Sequence, residues 1–74
     1  MPHINIKYFP KSLNEEQRRE LAFAITQAIS NTFQCSEDVV SIALEPIEKE
    51  QWNEKVYQPE IINREELLCK KPSY

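Results

Sequence analysis

The chain has 74 residues, a net charge of -3 and no glycine. A chain this short forms one domain, residues 1–74. Without glycine it builds neither a Walker A loop nor a dinucleotide fingerprint, both of which need bare backbone beside phosphate. Nine Lys and Arg are scattered among twelve acids, so the basic stripe that nucleic acid requires is absent. No apolar run approaches the ~18 residues of a membrane span. Cys35, Cys69 and His3 are too few to supply the four ligands of a structural zinc. The start of the chain has no charged region followed by an apolar one, so no secretory signal is expected. The expectation is a cytoplasmic protein with reduced thiols. A core this small leaves self-association as the source of further burial.

Residues 2–9 read as a strand, because Ile4, Ile6 and Tyr8 alternate with His3, Asn5 and Lys7. Pro10 ends it, having no amide to give a ladder. A helix opens at residues 12–14, capped by Ser12 with Glu15 or by Asn14 with Gln17. Glu15 and Glu16 suit its positive end. Leu21, Ile25, Ala28, Ile29 and Phe33 then form one apolar stripe that stops near Gln34. Residues 39–44 read as a second strand, with Val40, Ile42 and Leu44 on one face and Val39, Ser41 and Ala43 on the other. Strand, helix and strand make a βαβ unit with parallel strands. Beyond Pro46, residues 48–52 suggest one helical turn. Residues 60–71 suggest a second helix, with Pro59 at its start, Lys70 and Lys71 at its end, and Pro72 stopping it.

The chemistry centres on Met1-Pro2. An initiator methionine is removed when a small residue follows it, and proline then carries a secondary amine on a rigid ring. An α-amino group has a pKa of about 8, and burial beside apolar groups or cations lowers it. A base poised near neutrality suits proton transfer next to a carbonyl. Pro2 also opens a strand without a flexible tail, so the sheet would hold the amine still. By themselves Lys11 is a loop lysine and Trp52 serves equally as core. His3 points to the face opposite Pro2, and Tyr8, Phe9 and Phe33 are expected to pack. Ser41 has no neighbouring Asp and only His3 as a base, which argues against a hydrolase triad.

Taken in order, several features resemble the 4-oxalocrotonate tautomerase family over residues 1–52. They are Met1-Pro2 with its alternating strand, the basic Lys11 at the loop-helix junction, and the Asn14-Glu15-Glu16-Gln17 helix start. The helix through Ala28-Ile29-Ser30, the strand Val40-Ser41-Ile42-Ala43-Leu44 and the later Trp52 complete the set. The Pro10 connection and the longer segment 53–74 are similar to the bacterial phenylpyruvate-type members. The resemblance implies that Pro2 is the general base. It also implies that Lys11 stands for an arginine that binds the substrate carboxylate, without the planar two-point grip of arginine, and that Trp52 keeps the pocket apolar. Ser41 stands where the family has a second arginine, so one carboxylate on an aryl or short alkyl 2-oxo acid fits better than two.

The expected molecule is an α/β (α+β) domain, a single βαβ unit with parallel strands plus a C-terminal helix. It is expected to be a homo-oligomer, taken as a dimer. The expected activity is keto-enol tautomerisation of a 2-oxo acid such as phenylpyruvate, with no cofactor and no metal. Two alternatives stay open. One is an inactive homo-oligomeric interaction module of the same fold. The other is a decarboxylase or dehalogenase that uses the same proline.

Overall fold

The structure is a computed structural model that describes residues 2–74. Strand β1 (His3–Tyr8) and strand β2 (Ser41–Pro46) pair in parallel, His3 opposite Ser41 through to Tyr8 opposite Pro46. The ladder extends one step at each end. The Ser41 amide donates to the Pro2 carbonyl at 3.1 Å, and the Ile47 amide donates to the Tyr8 carbonyl at 2.8 Å. Alternation sorts the side chains. His3, Asn5 and Lys7 share one face with Ser41, Ala43 and Glu45; Ile4, Ile6 and Tyr8 share the other with Ile42, Leu44 and Pro46.

Helix α1 (Glu15–Phe33) joins the strands. Of the two caps the sequence offers, Asn14 with Gln17 forms. The Asn14 side chain accepts the Gln17 amide at 2.7 Å, and the Gln17 side chain accepts the Asn14 amide at 3.0 Å. Each satisfies an amide that the helix leaves open. The helix ends on Gln34 in the left-handed region, at φ 56° and ψ 48°, a place glycine usually takes. Leu21 and Ala22 of α1 line a cleft with Ile42 and Leu44 of β2, which sets the helix against the apolar face of the sheet.

Two boundaries differ from those the sequence suggests. Strand β2 starts at Ser41 rather than at residue 39. The Ser36 side chain accepts the Asp38 amide at 3.2 Å, and Val39 and Val40 donate to Ser36 and Glu37. That tight turn uses the amides a strand would need. The C-terminal helix lies at Asn53–Ile62 rather than at residues 60–71. It is wound wide, with the Asn63 amide reaching back to the Gln58 carbonyl at 3.0 Å. Pro59 sits inside it instead of starting it. Residues 63–74 hold only a single turn at Glu65–Leu67. Leu67 is 63% exposed there, so no buried contact draws that segment into a helix. The short turn expected near residue 50 is present at Lys49–Gln51.

Burial within one chain is slight. Among the described residues the core is Ile47 and Val56, each 6% exposed. No residue of α1 is buried. Of its stripe, Ile25 and Ile29 are half-buried, whereas Leu21, Ala28 and Phe33 face water. Phe33 therefore does not pack as expected. Cys35 and Cys69 are both free thiols. No helix among the described residues is long and apolar enough to cross a membrane.

Candidate active site

Pro2 is half-buried and directly precedes β1. Its carbonyl takes the Ser41 amide, which fixes the residue to the sheet. On the opposite face the His3 ring, through Nδ1, lies 2.6 Å from the Ser41 hydroxyl. Ser41 is thus a ladder residue hydrogen-bonded to His3, and both are exposed. Met1, whose removal would free the Pro2 nitrogen, lies outside the described residues.

A second cluster sits at the other end of β1. Trp52, half-buried, meets Phe9 edge to face, with ring centroids 4.9 Å apart and planes at 88°. This is the geometry that aromatic quadrupoles favour. The two rings join Lys7, Tyr8 and Tyr74 around an open pocket of about 500 Å³, a volume in the range of small-molecule sites. Tyr74 also lies over Tyr57, with centroids 5.7 Å apart. That contact brings the last residue of the chain back over the C-terminal helix.

Lys7 is the one charged residue of this lining. Its ammonium pairs with Glu60 of the C-terminal helix, and both side chains are partly shielded, 25% and 38% exposed. The hydrogen bond to Glu60 is the main reason the Lys7 ammonium holds its proton above the ordinary lysine range. Desolvation opposes it, and the charges of Glu60 and Glu45 add to it. Asn5 donates to Glu45 at 3.0 Å, so the polar face of the sheet is laced by side-chain pairs.

The three residues singled out from sequence do not converge in one chain. Pro2 lies before β1, and Trp52 packs at the end of that strand, roughly 20 Å away at the rise of an extended chain. Lys11 is exposed in the connection to α1 and lines neither pocket described here. Lys7, Glu60 and Tyr74 went unmarked in the sequence. Alternation places Lys7 on a solvent face, and its partner lies 53 residues away.

Comparison with known proteins gives the family of the chain. The family model described as "Tautomerase enzyme" matches residues 2–55. The chain is 40% identical over 74 residues to "Tautomerase PptA" of Cronobacter sakazakii, covering 100% of this chain and 97% of that protein. It is 42% identical to "Tautomerase PptA" of Escherichia coli and 36% identical to that of Pectobacterium carotovorum, with the same coverage. The parallel βαβ unit that seats Pro2 at the head of its first strand is therefore that of the tautomerase family, to which this chain belongs as an isomerase.

Proposed function

We propose that the chain is a keto-enol tautomerase of a 2-oxo acid such as phenylpyruvate, working without a cofactor, with the Pro2 amine as general base once Met1 is removed. The observation that carries this reading is the seat of Pro2. It enters β1 directly, half-buried, with its carbonyl held by the Ser41 amide. A ring so held presents its nitrogen in one direction and spends little entropy when it meets substrate.

The unprotonated amine takes the enol hydroxyl proton as the carbonyl forms. The resulting ammonium returns that proton to the adjacent carbon, so the amine is regenerated and no atom is gained or lost. Lys11 holds the substrate carboxylate, and Trp52 keeps the pocket apolar, which favours the neutral amine. With Ser41 where a second arginine would stand, a substrate with one carboxylate fits this inventory.

The working unit in this reading is a cytoplasmic homo-oligomer, taken as a dimer. One chain keeps Pro2 and Trp52 a strand length apart. A second copy running in the opposite sense would bring its Pro2 toward the aromatic end of the first. The large exposed surface of α1 supports such a partner.

The test is the rate of enol-to-ketone conversion. Protein shown by intact mass to lack Met1 should turn over phenylpyruvate enol, and Pro2→Ala should lose at least about 100-fold, the usual worth of a positioned base. Equal rates for the two would end the proposal.

A further inference from the structure

We infer that the cleft between the first half of α1 and strand β2 binds a free, unbranched alkyl carboxylate, with its tail between Leu21, Ala22, Ile42 and Leu44 and its carboxylate on Arg18 and Arg19. Pro2, Lys11 and Trp52 do not line this cleft. The site therefore goes beyond the tautomerase reading, and its test does not depend on that reading.

The helix brings charge and apolar surface together. Positions 18, 22 and 25 follow one face of α1. Ala22 and Ile25 are half-buried there, while Arg18 is exposed. The row that meets the sheet thus ends in a guanidinium group, with Arg19 and Leu21 beside it. Arginine lays its aliphatic stem along apolar surface and keeps its charged head at the water. Ile42 and Leu44 of β2, both half-buried, form the other wall. No residue of β1 lines the cleft, so it lies along the β2 side of the helix.

Size, lining and charge each narrow the occupant. The cleft holds about 270 Å³, less than the ~300–1,000 Å³ of sites for drug-sized ligands. Its apolar lining is aliphatic and contains no ring, so a slim flexible tail has more to gain there than a flat aromatic. Arg18 and Arg19 are the only lining residues with polar side chains. The ion pairs among the described residues are Lys7 with Glu60 and Lys71 with Glu65. Both guanidinium groups are thus without a carboxylate. Glu15 stands three and four residues before them, the spacing at which helical pairs form, yet it takes neither. A guanidinium presents a planar fork of donors that matches a carboxylate. Glu15, Glu16 and Glu20 of the same helix oppose an incoming anion, and water screens the exposed arginines, so the charge adds selectivity to a site whose affinity comes from the tail.

Octanoate and 1-octanol share a tail and differ in charge. Each is titrated into the full chain while the leucine and isoleucine methyl groups are followed by NMR. Octanoate should shift the methyls of Leu21, Ile42 and Leu44 saturably. It should bind about fivefold more tightly than octanol, the worth of two solvent-screened charge pairs, and added salt should close that gap. Arg18→Gln combined with Arg19→Gln keeps good helix formers at exposed positions. That variant should bind octanoate no better than octanol and leave octanol unchanged.

Equal affinity for acid and alcohol in the unaltered chain would overturn the inference even if the double variant failed to fold. So would a folded double variant that keeps the preference for the acid. If the three methyls shift on dilution of the protein and ignore octanoate, a second copy fills the cleft and the inference fails. Phosphatidylglycerol vesicles supply the last arm. Sedimentation of the chain with them, while octanoate leaves those methyls unmoved, would assign the arginines to a lipid surface and remove the free-ligand site.

Discussion

The Lys7 ammonium is tied to Glu60 and keeps its proton into alkaline solution. A lysine whose pKa is higher folded than unfolded stabilises the fold fully below its unfolded value, about 10.4, and loses that contribution as pH rises through the folded value. The difference in melting temperature between the unaltered chain and Lys7→Met should therefore stay constant through the neutral range and shrink only in strongly alkaline buffer. A thermal melt series across pH checks it, and a gap that vanishes near neutrality would refute the pairing. Residues of this kind mark where sequence reasoning stops. The place of Pro2 at the head of β1 was legible because an alternating strand is a local pattern. Trp52 was legible only as an aromatic of undecided role. Lys7 was not, because its partner is 53 residues away, and no periodicity records a contact of that range.

At the level of elements, helix α1 shows what local chemistry decides and what it leaves open. The Asn14-Gln17 box fixes its start, as the spacing of those residues anticipates. Its end is less comfortable. Gln34 occupies the left-handed region in a chain without glycine, where a side chain costs about 1–2 kcal/mol. Gln34→Gly should recover part of this, about 0.5 kcal/mol after the extra entropy of glycine in the unfolded chain. Differential calorimetry should show a rise of roughly 2–4 °C in melting temperature, and a fall would mean that the Gln34 side-chain bond to the Asn31 carbonyl, 2.8 Å, matters more than the backbone. The order strand, helix, strand was legible because periods of two and 3.6 are local properties. The start of β2 was not, since the Ser36 turn overrides the strand preference of Val39. The C-terminal helix was placed too late because proline usually starts or stops a helix. Here Pro59 lies within one, and the buried Val56 belongs to the turn before it.

For the whole molecule the decisive quantity is how little one chain hides. Among the described residues, two buried side chains, Ile47 and Val56, and a 19-residue helix with none make a thin core. Phe23 at 66% and Phe33 at 63% remain in water. If a second copy covers this surface, as the proposed function requires, folding and association are one equilibrium. The melting temperature should then climb with protein concentration. Melts taken over a hundredfold dilution series, about two decades, are expected to show that climb, and a concentration-independent midpoint would point to a self-sufficient monomer. The sequence made the shortage visible through length alone, but not which surface is left open, because that depends on where α1 and the sheet meet.

Among the described residues the sheet has two strands and so no interior member: each strand keeps one rim of amides and carbonyls that the other does not pair. Such rims accept any extended segment that drifts alongside. An isolated copy would thus act as a template for strand growth, and concentrated stocks held under conditions that partly dissociate the assembly should be lost to β-rich particles.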